Sequence, residues 1–294
     1  MFGIGQRSRL ERRSAVAALA RLGILCVLFG TTAQAQPEEI ESGNYSWTAL
    51  ARGFEVTEVP ALADGVEVER VHLTRIDPAY YRFEVHTAPD AARELDDWMK
   101  VTGAVLIVNG SYFDREGKPA TPIISRGRPM GPKGYGTKHG AFIVTAAGAS
   151  VQDLGRTRWQ QAFRGASEAM VSFPMLIGAD GHSRALNSNP LHAANRSFIG
   201  QDDSGRVIIG TTQNGYFSLD KFALFLMRSG LELKRALNLD GGPPACQAVA
   251  LGAFRRSVCS NSASANDTSQ LRVLSQLFGQ RPWGLPIVLA AFPK

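Results

Sequence analysis

A chain of 294 residues that is 44% hydrophobic and 20% charged has enough apolar material for a packed core, which excludes a disordered or low-complexity protein. The net charge of +6 is a poor guide to partners, because residues 1–35 hold five Arg and one Glu and leave only +2 on the rest. With no Lys/Arg tract interleaved with aromatics, nucleic acid is excluded as a partner.

Arg7, Arg9, Arg12 and Arg13 precede the apolar run Leu22–Gly30, and Ala33-Gln34-Ala35 has the small-x-small form of a cleavage site. Residues 1–35 therefore read as an export signal that is removed, by the general or the twin-arginine route, placing the mature protein in the periplasm or outside the cell. Arg21 interrupts the run, which falls short of the about 18 apolar residues of a membrane span, so none is expected after cleavage. Residues 36–65 read as a leader and a first strand, in which Phe54–Val59 alternates, and 66–294 as the remaining domain. Glu67–Ile76 and Tyr81–His86 alternate as well and open an antiparallel sheet.

Ala91–Val101 has helical spacing at Leu95, Trp98 and Met99, and leads into the apolar strand Ala104–Val108. That strand delivers Asn109-Gly110-Ser111-Tyr112-Phe113-Asp114, polar groups at a strand end, which are the usual material of a site. Pro122–Ser125 is extended, and Gly127–Gly140 reads as a surface loop whose Lys133, Lys138 and His139 either face an anion or form a solvated tip. Ala141–Thr145 is a strand, Thr157–Phe163 a short helix, and Ala169–Gly178 a strand broken at Pro174. Asn195–Gly200 and Arg206–Thr212 pair across the Asp203-Ser204-Gly205 turn, and Arg196 carries a fork of donors suited to phosphate. Ser218–Gly230 is the clearest helix, with Ser218 as its N-cap.

A second buried strand then ends in Asn238-Leu239-Asp240 and breaks at Gly241-Gly242-Pro243-Pro244. Alternation puts Asn238 and Asp240 on one side, and the glycines let a ligand or another backbone come close. Cys26 leaves with the signal, so Cys246 and Cys259, with no histidine beside them, read as a disulfide. Ser260–Ser269 reads as loop, Leu271–Phe278 as helix and Pro286–Phe292 as a last strand. The fold expected is α+β: a single domain with a mixed, mostly antiparallel sheet and a few packing helices.

Taken together, Asn109-Gly-Ser-Tyr-Phe-Asp114, Phe173-Pro-Met-Leu176, Arg196–Gly200 and Ala236-Leu-Asn-Leu-Asp-Gly-Gly242 make the chain, from about residue 70 onward, resemble the phosphodiester glycosidase domain family. That family includes the uncovering enzyme of the lysosomal pathway and many exported bacterial proteins. The resemblance implies hydrolysis of the glycosidic bond of a sugar-1-phosphodiester in glycan or envelope material. Asp240 is then the catalytic carboxylate and Asp114 a second one. Arg196 neutralises phosphate, Asn109 and Asn238 hold sugar hydroxyls, and Gly110, Ser111, Gly241 and Gly242 shape the binding surface. Ser111 stands where the family has Gly, which requires a negative φ. Pro243-Pro244-Ala245 replaces the usual Gly or Pro followed by Ser. The alternative is a non-catalytic envelope protein that binds phosphorylated glycan. A metal-dependent phosphoesterase is disfavoured, since His72, His86, His139, His182 and His192 do not fall at metal-ligand spacing with acids. No cofactor or metal is called for, although a bound calcium ion and the oligomeric state stay open.

Overall fold

The computed structural model describes residues 39–89, 93–185, 189, 191–259 and 284–294, all within one compact unit, Glu38–Lys294. The export signal at 1–35, the loop at 260–269 and the helix at 271–278 lie outside the described residues. In chain order the first strands are β1 (Ile40–Ser42), β2 (Thr48–Ala51), β3 (Phe54–Ala63), β4 (Val66–Ile76) and β5 (Tyr81–Thr87). Helix α1 (Leu95–Thr102) follows, then β6 (Leu106–Asn109), β7 (Ile123–Ser125), β8 (Arg128–Met130), β9 (Gly140–Thr145) and β10 (Gly148–Asp153). After α2 (Trp159–Ala162) come β11 (Glu168–Ser172), β12 (Met175–Ile177), β13 (Ser197–Asp202) and β14 (Val207–Thr212). Helix α3 (Leu219–Arg228) leads to β15 (Leu233–Asn238), β16 (Cys246–Leu251), β17 (Phe254–Cys259) and β18 (Ile287–Pro293).

These strands form three sheets: an eight-stranded one in the order β1-β3-β4-β14-β13-β15-β12 with β2 beside β3, and two five-stranded ones, β10-β9-β11-β7-β8 and β17-β16-β6-β18-β5. Every strand pairing among the described residues is antiparallel, so the α+β class holds, but the expected mixed sheet is three antiparallel ones. The segment read as a leader with one strand forms three strands on the eight-stranded sheet, because Ile40, Val59 and Ala61 supply a buried face that its polar composition conceals.

Each sheet turns one face to a shared core and carries a helix on the other. On β13 and β14 the alternation is direct: Ile199, Val207 and Ile209 point into the shared core, while Phe198 and Ile208 pack under Phe222, Phe225 and Leu226 of α3. On the third sheet Leu106, Val108 and Leu289 face the shared core, whereas Ile107, Val288 and Ala290 pack with Leu95 and Trp98 of α1. Burial on both faces explains why β6, β14 and β18 read as continuous apolar runs. Ser218 occupies the N-cap position of α3, yet its hydroxyl donates to Asp220 Oδ1 (2.5 Å) instead of accepting from the helix backbone.

Cys246 and Cys259 stand directly opposite each other on β16 and β17 and form the disulfide. It staples the outer edge of the third sheet just beyond the Gly241-Gly242 turn. For the 13-residue separation the chain-entropy relation gives about 3 kcal/mol. Reduction, or a Cys246→Ala/Cys259→Ala double variant, is expected to lower stability by about that amount, measured as a shift in the urea midpoint. An unchanged midpoint would show that the sheet pairing holds this edge unaided.

Candidate functional site

The central strand of the third sheet, β6, and the inner strand β15 of the eight-stranded sheet finish side by side. Asp240 N donates to Gly110 O (3.1 Å), and Asn109 Nδ2 donates back to Asp240 O (2.7 Å). The other end of the same side chain, Asn109 Oδ1, accepts from Cys246 N (3.1 Å). One buried carboxamide thus ties down both ends of the 240–246 turn that crosses from β15 to β16. Gly110 lies so close to β18 that a Cβ would meet Ile287 Cγ2 at 2.4 Å and the Ile287 carbonyl carbon at 3.0 Å, so its smallness serves the packing of β18.

Around this junction a pocket of about 380 Å3 opens, lined by Tyr112, His192, Arg196, Leu219, Asp240 and the Gly241-Gly242-Pro243 turn among others. Arg196 sits just ahead of β13 and is 7% exposed. Its Nε donates to Phe217 O (3.0 Å) and its Nη2 to His192 O (2.6 Å), both neutral acceptors, and among the described residues no carboxylate forms an ion pair with it. Burial lowers its pKa from the ordinary arginine value. Nη1 lies beside Gly241, where a Cβ would meet Asn195 O at 2.9 Å and Nη1 at 3.4 Å. The loop that presents Phe217 O is itself fixed by the fully buried Glu69 carboxylate, which accepts from the backbone of Gln213, Asn214 and Tyr216.

Burial also raises the pKa of Asp240, to about 7, against the opposing effect of a hydrogen bond from the Gly241 backbone. Tyr112 lines the same pocket as the two charged groups. Its hydroxyl donates to Phe173 O (2.9 Å) and accepts from Asn238 Nδ2 (2.8 Å), its ring stacks on Phe173 at 4.5 Å, and burial pushes its pKa upward.

Over residues 102–270, more than half of the chain, the sequence matches the family model for phosphodiester glycosidase. The chain belongs to the phosphodiester glycosidase family. No curated protein matches it. Among solved structures it is similar to the catalytic domain of zebrafish N-acetylglucosamine-1-phosphodiester alpha-N-acetylglucosaminidase auto-inhibited by its pro-peptide, at TM-score 0.54 and 17% identity over 87% of this chain and 84% of that one. A hypothetical protein from Synechocystis is similar at TM-score 0.53 and 14% identity, over 87% and 68% of the two chains. A putative exported protein from Burkholderia pseudomallei is similar at TM-score 0.53 and 10% identity, over 90% and 99%. At these identities the likenesses describe the fold.

Within this family member the residues singled out from sequence take different places. Arg196, Asp240, Gly241 and Gly242 line the pocket. Asn109, Ser111 and Asn238, each 1% exposed, lie beneath it with their polar atoms turned inward. Ser111 Oγ lies 3.0 Å from Thr121 Oγ1, and Ser111 is not among the described non-glycine residues with positive φ, so its side chain is accommodated. Asp114 is exposed and closes its own turn, accepting from Glu116 N (3.0 Å) and Lys118 N (2.8 Å). At the departure from the family pattern, Pro243 lines the pocket while Pro244 and Ala245 are buried. Sequence reasoning passed over Tyr112, His192 and Glu69. Tyr112 was visible as the aromatic within the Asn109–Asp114 motif, whereas His192 and Glu69 carry no local signal. Among the described residues no three of His, Cys, Asp and Glu cluster so as to hold a metal ion.

Asn109→Ala removes the partners of both Asp240 O and Cys246 N. It is expected to destabilise the protein by about 3 kcal/mol, read from chemical denaturation. A near-neutral effect would show that water replaces both bonds and that the junction does not depend on this side chain.

Proposed function

We propose that the protein hydrolyses the bond between the anomeric carbon and the phosphate oxygen of a sugar-1-phosphodiester. The observation that carries this reading is the pairing, in one open pocket, of a buried arginine with no carboxylate ion pair among the described residues and a carboxyl whose pKa is raised to about 7. A buried cation held only by carbonyls is incomplete until an anion enters, and a phosphodiester supplies one.

In this scheme Arg196 holds the phosphate and Asp240, as the carboxylate, takes a proton from the attacking water. Water oxygen bonds to the anomeric carbon, the bond from that carbon to the phosphate oxygen breaks, and the phosphomonoester departs with the electron pair. The products are a reducing sugar and a phosphomonoester. The leaving group is already a stable anion, so the step depends less on a general acid than ordinary glycoside hydrolysis does. Tyr112, fixed at its hydroxyl and backed by Phe173, presents the pocket with a flat wall against which a sugar ring packs. The disulfide and the reading of residues 1–35 as a signal support a site of action outside the cytoplasm, on phosphorylated glycan of the envelope. No helix among the described residues is long and apolar enough to cross a membrane.

Purified protein offered a panel of sugar-1-phosphodiesters should release reducing sugar and no inorganic phosphate. Asp240→Asn should lose about a thousandfold in kcat with little change in ligand affinity. A variant that keeps its turnover would leave a phosphoglycan-binding protein as the better account.

Because the active form is the carboxylate, kcat/KM should rise with pH through a midpoint near 7. Stability should run the other way. The folded state holds the Asp240 proton more tightly than the unfolded state, so its contribution is fully present below about pH 4 and is lost as pH rises through about 7. Asp240→Asn should accordingly unfold at higher denaturant than the parent at pH 8, and the two should converge at pH 4. Identical pH profiles for the two proteins would place the carboxyl in water.

A further inference from the structure

Two adjoining cavities, of about 430 and 400 Å3, meet at His86, Thr87 and Arg126, and neither shares a lining residue with the Arg196–Asp240 pocket. Arg82, Arg93, Arg126 and Arg128 line them, and among the described residues Glu84 is the one carboxylate of the lining. Glu84 already pairs with Arg82, whose guanidinium also lies 4.2 Å over the Phe292 ring, and it sits 4.0 Å from Arg126 Nη2. Arg128 is exposed and makes no ion pair among the described residues. His86 Nε2 is buried at the meeting point of the cavities. It lies 3.2 Å from Glu84 Oε2 but has no hydrogen-bond partner there.

The backbone holds Arg126 at the cavity edge. Arg126 and Gly127 are the central residues of the turn between β7 and β8, with φ of 51° and 75°. Both are left-handed, which is the geometry of a tight hairpin that ordinarily carries Asn-Gly or Gly-Gly. An arginine there holds a conformation that its Cβ disfavours. The turn is clamped by Arg126 N donating to Glu168 Oε1 (2.9 Å) and Gly127 N donating to Ser167 O (2.7 Å), so the strained residue is held in place. The same left-handed pair occurs at Asp64-Gly65 in the turn between β3 and β4, so the turn fixes where Arg126 stands, and the cavity lining points to a ligand.

We propose that these cavities form a second anion site, specific for a phosphate group, in which Arg126 and Arg128 supply charge-assisted donors and His86 Nε2 supplies a further polar contact. The phosphate is either free or carried on a sugar as a monoester.

The test is calorimetric titration of the whole protein at low salt with inorganic phosphate, with glucose 6-phosphate and with glucose. The parent should bind phosphate at two sites and Arg196→Gln at one. Arg126→Gly/Arg128→Ser should lose the other, with at least a tenfold loss of affinity there and none at the Arg196 pocket. Tighter binding of glucose 6-phosphate than of phosphate at this site would assign it to a phosphorylated glycan, and equal binding to the free anion. Arg126→Gly alone should weaken binding yet raise the melting temperature by about 3 °C, because glycine relieves the left-handed turn. That combination separates a binding role from a structural one. The proposal is overturned if Arg196→Gln binds no phosphate, if Arg126→Gly/Arg128→Ser keeps both sites, or if glucose binds as well as its phosphate.

Discussion

Where two sheets share a chain, the backbone leaving one has to satisfy its polar groups before it enters the next. Here the crossing is made by the turn between β15 and β16, and the Asn109 carboxamide spans it, donating to the carbonyl at its start and accepting from the amide at its end. A carboxamide is suited to the task because it offers a donor and an acceptor on one rigid plane, without the charge that would make burial costly. Asp240 then has its backbone N–H and C=O both committed to the end of β6, so the direction of its side chain is set by two strands instead of by a free loop. Everything proposed for the pocket depends on that clamp.

The electrostatics of the pocket follow from desolvation. Burial acts on Asp240 and Arg196 alike, in each case favouring the neutral form, but from starting points so different that the outcomes diverge. The guanidinium stays charged, whereas the carboxyl is divided between its two forms near pH 7. The pocket is therefore more positive at neutral pH than its side chains suggest, which suits an anionic ligand. Holding Arg196 by two carbonyls keeps its fork in one place without quenching its charge, which a carboxylate partner would do.

The polar residues of the two strand-end motifs are mostly internal supports. Asn238 holds the Tyr112 hydroxyl, Ser111 meets Thr121, and Asp114 closes a turn that also brings Lys118 back toward it. From these motifs Tyr112, Asp240, Gly241 and Gly242 line the pocket, and Gly241 clears space for Arg196 and the Asn195 carbonyl. A motif of this kind is dense in polar residues because a junction of buried strand ends needs many hydrogen bonds.

Local pattern was enough to locate most of the elements, since periodicity and turn residues act over a few positions. The strands around Leu106, Phe142, Ile199, Val207 and Leu289, the helix over Leu219–Arg228 and the break at Pro174 were all legible, as was the pairing of two cysteines left over after the signal. Asp240 and Arg196 stood out by type alone, a carboxylate at a strand end and an arginine before an apolar run, and both line the pocket. What the residues could not convey was which way each side chain turns. Asn109 and Asn238 look identical in sequence to ligand-binding amides, and only the arrival of β16 and of the Phe173 carbonyl beside them draws them inward. The division into three antiparallel sheets, the role of Glu69 in fixing a loop about 145 residues away, and the low-dielectric setting that raises Asp240 are likewise products of tertiary structure. Long-range pairing and burial depend on parts of the chain that a local reading never sees together.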